Sequence, residues 1–126
     1  MLRNEKGFTL IEIIAVLVIL GILAAVAVPK YISMMDQSRI SAAQSAIAEV
    51  KAQCSNYYAD QMLAGNGTIA SGVTGVLNSI TTTPYMGPDY TVAAAAAGSG
   101  ILISVSVVKG ATLPAAVTGR WYYPGM

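Results

Sequence analysis

One carboxylate stands alone in an apolar run near the beginning of the chain. Glu12 is the only charged residue between Phe8 and Val28. An ionised carboxylate in hydrocarbon costs at least a few kcal/mol, so its presence points to a specific cationic partner. If the chain is cut after Gly7, the new α-amine of Phe8 lies four positions before Glu12, one helical turn away on the same face. The amine of the same chain or of a neighbouring copy is therefore one candidate partner. The alternative is a glutamate near the end of a membrane span that reaches the lipid headgroups.

The composition excludes most other kinds of chemistry. The chain has 126 residues, no His, one Cys, 10% charged residues and a net charge of +1. Without His there is no Ser-His or Cys-His nucleophile pair and no imidazole metal ligand. A single Cys forbids an internal disulfide and a Cys-based zinc site. The small net charge provides no field for gripping a phosphate backbone. The sequence therefore predicts a protein that is not an enzyme, with no cofactor and no metal.

The apolar run is long enough to be a membrane-spanning helix. Residues 8–28 would form a helix about 31 Å long, close to the thickness of a bilayer core. A helix without a hydrophilic face is either a span or is buried on every side in a bundle, and the rest of the chain is too short to enclose it. Arg3 and Lys6 favour a cytoplasmic N-terminus with the C-terminal part outside, although Lys30 and Arg39 on the other flank weaken this signal.

Residues 30–64 have the pattern of an amphipathic helix. Its apolar positions are spaced three and four apart, which predicts a stripe that packs on the protein's own core. The stripe comprises Ile40, Ala43, Ile47, Val50, Cys54 and Tyr57. Cys54 on this stripe is interpreted as a buried small apolar residue, with an intermolecular disulfide as the alternative.

Residues 65–126 are expected to form a loop followed by a small antiparallel sheet. Strands are predicted at 89–95, 101–109 and 117–123, with 98–100 as a three-residue hairpin loop. In the second strand, alternation places one apolar set on a single face. That set is Ile101, Ile103, Val105 and Val107. A short helix near 72–80 is weakly signalled, and Asn66-Gly67-Thr68 fits a glycosylation pattern. The predicted fold class is α+β: a long N-terminal helix packed on about three antiparallel strands.

Residues Arg120 to Tyr123 form the only cluster of aromatic residues with a cation. Such a cluster could stack on a surface receptor's glycan or on single-stranded nucleic acid. The competing interpretation places Trp121 and Tyr123 in the core and leaves Arg120 and Tyr122 at the surface, as alternation along a strand predicts. Neither nucleic acid nor a receptor is supported by the sequence as a partner.

The N-terminal residues carry a resemblance to a known family. Lys6-Gly7-Phe8-Thr9-Leu10-Ile11-Glu12, then an apolar run and Pro29, resemble the N-terminus of a type IV pilin precursor. The resemblance implies that residues 1–7 are a leader, and that residues 8–29 form a hydrophobic stalk. It also implies that a prepilin peptidase cuts between Gly7 and Phe8 and methylates the amine of Phe8.

The same resemblance assigns roles to three residues of the stalk. Glu12 matches the glutamate that neutralises the N-terminal amine of an adjacent subunit during assembly. Gly21 and Pro29 match two helix-weakening positions. The helix-weakening assignments agree with physical expectation, because Pro29 lacks an N–H and a helical Gly costs about 1 kcal/mol relative to Ala. For Gly21 alone, close packing between helices is an equally good interpretation.

The function implied is that of a structural subunit of a type IV pilus, or fimbrium. The precursor would be held in the bacterial inner membrane with its head outside the cytoplasm. It would then polymerise with copies of itself, through its hydrophobic helix and the pilus assembly machinery, into an extracellular filament. Roles in twitching motility or cell adhesion are left open by the sequence.

Two alternatives remain open. Pseudopilins of type II secretion share the N-terminal motif, and a single-pass membrane anchor with a binding head would need neither cleavage nor polymerisation. The chain lacks the second Cys that would close a pilin-type C-terminal disulfide. It also has a single acidic residue after Leu63, Asp89, which disfavours the calcium site usual in the major pseudopilin.

Overall fold

The computed structural model describes residues 7–65, 72–82 and 88–124. The elements are α1 (Leu10–Ala64), α2 (Gly72–Thr82), β1 (Tyr90–Ala97), β2 (Gly100–Val108) and β3 (Ala111–Tyr122). The chain divides into two compact units, with the boundary between Met35 and Asp36. The expectations for leader residues 1–6 and for the glycosylation pattern at 66–68 lie outside the described residues.

The predicted α+β fold is confirmed. The second unit has one core, formed where the later part of α1 and helix α2 pack on the sheet. The buried members from α1 are Ala43, Ala46, Ile47, Val50 and Cys54. They fall on the predicted stripe, with Ala46 as an addition, because residues three and four apart share one face of a helix. Helix α2 contributes Val76 and Ile80, and the sheet contributes Ile101, Ile103, Val105, Val108, Leu113 and Trp121.

The three strands form an antiparallel sheet in the order β1-β2-β3. The β1–β2 connection differs from the predicted three-residue loop, because Gly100 pairs with Ala97 and already belongs to β2. The turn therefore has two central residues, Gly98 and Ser99, and Gly98 adopts a φ of 61°. The β2–β3 turn has positive φ at both Lys109 and Gly110. This is the geometry of a two-residue hairpin turn, in which the twist of the turn matches the twist of the flanking strands.

The predicted buried face of β2 is wrong at its last position. Val108 is buried and Val107 is only partly so. Thr91 pairs with Val107 while the adjacent Val92 pairs with Val105, so Ser106 is an extra residue that has no partner in β1. A bulge of this kind shifts the phase of alternation by one residue, which carries Val108 into the core.

Strand β3 begins six residues earlier than predicted. Its pairing with β2 is interrupted between Thr112 and Val117, the stretch that contains Pro114. Proline has no N–H to donate to a strand ladder, so it is tolerated at an irregularity of this kind. Farther along β3, Gly119 lies so close to α1 that a Cβ there would overlap Cγ2 of Ile47.

Candidate assembly segment

The residues predicted for processing lie at the very start of the described chain. Gly7, Phe8 and Thr9 precede α1, and all three are exposed. A Cβ built on Gly7 would meet nothing within 4 Å. The peptide bond between Gly7 and Phe8 is therefore unobstructed by other described parts of this chain.

Glu12 occupies the first turn of α1 and makes a reciprocal cap with Thr9. The Thr9 N–H donates to Oε2 of Glu12 at 3.4 Å, and the Glu12 N–H donates to Oγ1 of Thr9 at 3.3 Å. Both contacts are long for hydrogen bonds, but together they form the arrangement known as a capping box. The Glu12 N–H also donates to the carbonyl of Thr9 at 3.1 Å, so the two side-chain contacts add to the backbone bonding of the first helical turn. A carboxylate at this position also interacts favourably with the helix dipole.

Thr9 is the functional residue that the sequence reasoning missed. The signal was present, because Thr9-Leu10-Ile11-Glu12 has the Thr-x-x-Glu spacing of a capping box immediately before an apolar run. The expectations for Glu12 were a cationic partner or the lipid headgroups, and neither included a cap on its own helix. The structure adds a partner within the same chain, the backbone of Thr9.

The segment after the cap is exposed along its whole length. Every described residue from Gly7 to Met35 is exposed, including the large apolar side chains. By length and composition, α1 contains a segment able to cross a membrane, and none of that segment is buried by the described part of the chain. An apolar surface of this extent needs a covering from lipid or from other protein copies.

The two expected helix-weakening residues both lie inside α1. Gly21 faces open space, since a Cβ added there would meet nothing within 4 Å, and Pro29 is a helix-interior proline. The helix is continuous from Leu10 to Ala64 through both residues. Their role in weakening the helix stays a prediction.

The aromatic cluster near the C-terminus is divided between two sides of the sheet. Trp121 is only 6% exposed, whereas Tyr122 is 65% exposed. The Arg120 guanidinium lies 6.0 Å from the centre of the Tyr122 ring. The interpretation that placed Trp121 inside is confirmed, so this indole is not available to stack on a ligand. Tyr123 is partly buried and packs against the core.

Cys54 is buried in the core and is a free cysteine. Burial raises the pKa of its thiol from 9.0 to about 11, with a smaller opposing effect from a backbone hydrogen bond. A thiol of this kind is a poor nucleophile near neutral pH, because the thiolate is the reactive form. Within the described ranges there is no group of three or more His, Cys, Asp or Glu side chains that could hold a metal ion.

Comparison with known families identifies the N-terminal segment. Residues 2–28 match the prokaryotic N-terminal methylation motif. This range includes the Gly7–Phe8 pair, Thr9 and Glu12, and most of the exposed apolar segment.

Curated relatives extend the similarity beyond this motif. The chain is 47% identical over 58 residues to type II secretion system core protein G of Pseudomonas aeruginosa, covering 46% of this chain and 41% of that protein. It is 38% identical over 74 residues to fimbrial protein EcpC of Eikenella corrodens, covering 59% and 48%. It is 43% identical over 47 residues to a type IV major fimbrial protein FimA of Dichelobacter nodosus, covering 37% and 30%. The chain thus spans less than half the length of each of these relatives. No solved structure gives a significant match.

Proposed function

We propose that this chain, as a member of the family of type IV pilins and pseudopilins, is a structural subunit of a type IV pilus filament. In this proposal a prepilin peptidase removes the leader between Gly7 and Phe8 and methylates the new amine. Before assembly, the subunit is held in the inner membrane with its head outside the cytoplasm. It then polymerises through residues 8–29.

The observation that carries the proposal is an exposed apolar helix that begins at the processing motif. The apolar side chains from Phe8 to Val28 are exposed, with no cover from the part of the chain that the structure describes. Lipid can cover them in the membrane, and the same segments of other copies can cover them in a filament. Because the two environments are similarly apolar, transfer from one to the other changes the hydrophobic free energy little, and polar contacts must select the assembled state.

Glu12 provides that selective contact in the proposal. Cleavage creates a positive amine at Phe8, which is costly in a nearly anhydrous filament interior unless an opposite charge meets it. Glu12 is the only carboxylate in the apolar segment. Pairing it with the amine of an adjacent subunit would offset the desolvation cost and fix the axial register between subunits.

The first test concerns processing. Gly7→Val places a branched side chain beside the bond to be cut, so the leader should stay attached and filaments should be absent. Mass spectrometry of the protein from its native cell measures the first outcome, and electron microscopy of sheared surface material measures the second. A wild-type mature mass, lacking residues 1–7 and carrying one added methyl group, from the Gly7→Val chain would contradict the peptidase assignment.

A pseudopilin of type II secretion is the second candidate, favoured by the 47% identity to core protein G. The two functions separate in a cell that lacks this chain. Loss of surface filaments with normal export of secreted enzymes supports the pilus. Loss of export with filaments retained supports the secretion pseudopilus.

A further inference from the structure

We propose that the C-terminal end of the chain is held on α1 by a non-covalent clasp that works independently of redox state. The clasp consists of the side chains of Ser55, Tyr58, Trp121 and Tyr123 together with the backbone carbonyl of Pro124. Ser55 and Tyr58 lie one turn apart in the last part of α1. Trp121 lies near the end of β3, and the other two residues follow it.

Two hydrogen bonds join the helix to the end of the chain. The Tyr58 hydroxyl donates to the carbonyl of Pro124 at 2.8 Å, and Nε1 of Trp121 donates to Oγ of Ser55 at 2.9 Å. Each bond connects residues 66 positions apart in the sequence. Both distances are in the ordinary range for hydrogen bonds.

The three rings of the clasp contact one another in edge-to-face geometry. Tyr58 lies 5.2 Å from Tyr123 at an interplanar angle of 90°, and 6.3 Å from Trp121 at 62°. Trp121 and Tyr123 complete the triangle at 6.1 Å and 89°. Edge-to-face pairs add to the stabilisation that burial of the same ring area provides. Tyr58 and Trp121 each take part in two ring pairs and one hydrogen bond, so these two residues form the centre of the clasp.

A further contact ties the same segment to the sheet. The Tyr123 N–H donates to the carbonyl of Ser99 in the β1–β2 turn at 2.9 Å. The end of β3 is therefore held by the neighbouring hairpin as well as by the helix. This matters because β3 is an edge strand among the strands that the structure describes, with β2 as its one neighbour there.

The groups of the clasp explain why redox conditions should not affect it. The chain has one Cys, and that residue is buried in the core rather than at the chain end. No thiol or disulfide takes part in the contacts, which are made by a hydroxyl, an indole N–H, a carbonyl and three rings. A reductant therefore has no bond in the clasp to break.

Hydrogen exchange measured by mass spectrometry on the full chain in detergent micelles tests the clasp. Tyr58→Phe keeps the ring and removes the hydrogen bond to Pro124. We expect exchange in a peptide covering residues 117–124 to become about five times faster, the effect of losing one hydrogen bond. Tyr122→Phe is the matched control, because it removes a hydroxyl from an exposed ring one residue before Tyr123, and it should leave exchange unchanged. Adding a reductant should change neither protein.

A peptide covering residues 43–54 reports the core in the same experiment. Its exchange should be the same in Tyr58→Phe and in the wild type, which shows that the clasp acts locally. Equal acceleration of both peptides would mean general destabilisation and would overturn the proposal. So would a Tyr58→Phe protein that behaves like Tyr122→Phe, or a wild-type C-terminal peptide that exchanges faster with reductant.

Discussion

At the scale of the residue, Glu12 combines two roles that point substitutions can separate. Its carboxylate caps α1 through Thr9, and its charge is proposed to neutralise a neighbour's amine. Glu12→Gln retains a side chain that suits a capping box but loses the charge. Thr9→Val retains the charge but removes the hydroxyl that accepts from the Glu12 N–H.

The predicted results differ for the two changes. Cleavage should continue in both proteins. Filament yield should fall to less than about a tenth in Glu12→Gln, because an unpaired buried charge costs several kcal/mol. Glu12→Leu should fall as far, and Glu12→Asp should be intermediate because its carboxylate is one methylene shorter. Thr9→Val should lower yield only slightly, since loss of a cap costs about 1 kcal/mol.

The measurement is sheared-filament yield divided by total processed subunit, made for all four variants. Wild-type yield from Glu12→Leu would show that the carboxylate has no part in assembly. The interpretation of a glutamate that reaches the headgroups would then be preferred. A loss in Thr9→Val equal to that in Glu12→Gln would assign the effect to the helix cap rather than to the charge.

Cys54 gives a second prediction at the residue scale, through the effect of pH on stability. Its folded-state pKa is raised by burial to about 11, so the native state holds the proton more tightly than the unfolded state does. The stabilisation is fully present below the ordinary thiol pKa and is lost as pH rises from about 9 to 11. We expect the free energy of unfolding to fall by about 2–3 kcal/mol from this group over that window.

Denaturant unfolding at pH 8 and pH 11 checks this expectation in the wild type and in Cys54→Ala. The alanine variant starts from a lower stability because of the cavity, but it lacks this titrating group. All other side chains are common to both proteins, so their contributions cancel in the comparison. An equal pH-dependent loss in the two proteins would contradict the assignment.

At the scale of the element, the packing of β3 on α1 requires that position 119 carry no side chain. A Cβ on Gly119 would overlap Cγ2 of Ile47, and it would lie 3.2 Å from Cε of Lys51. Gly119→Ala should therefore lower the free energy of unfolding by about 1–3 kcal/mol through overpacking. Thr118→Ala, at an exposed neighbouring position of the same strand, is the control and should change stability little.

A double substitution tests whether the contact with α1 is the cause. Ile47→Ala removes the atom that the new Cβ would meet, at the cost of a cavity. The loss in Gly119→Ala combined with Ile47→Ala should be smaller than the sum of the two single losses, because the residues share one contact. Denaturant unfolding measures the three losses. If the two single losses simply add in the double variant, contact between positions 119 and 47 is not the cause of the destabilisation.

At the scale of the whole molecule, the two units differ in the burial of their apolar side chains. All core residues follow Met35 in the chain, whereas every described residue up to Met35 is exposed.

The full processed chain should therefore require detergent for extraction. A chain beginning at Lys30 lacks the apolar run but keeps the whole core, and it should partition into the aqueous phase. Sedimentation and detergent phase separation measure both; a processed full chain that is soluble and monomeric without detergent would show that the stalk interpretation is wrong.

The amino-acid sequence alone determined the features that depend only on residues near one another in the chain. The apolar run, the stripe on α1, the cap signal at Thr9 and Glu12, and the outward position of Tyr122 depend on composition and on periods of 3.6 and 2 residues. The helix end is local as well: α1 stops at Ala64, as the following glycine predicts.

Tertiary structure decided the features that depend on how distant segments meet. The bulge at Ser106 moved burial from Val107 to Val108, because strand register is a property of the paired strands rather than of one. The close approach of Gly119 to Ile47 and the bond from Tyr58 to Pro124 join residues far apart in the chain. No period in the sequence encodes such pairs, since they follow only from the path that turns and packing impose on the whole chain.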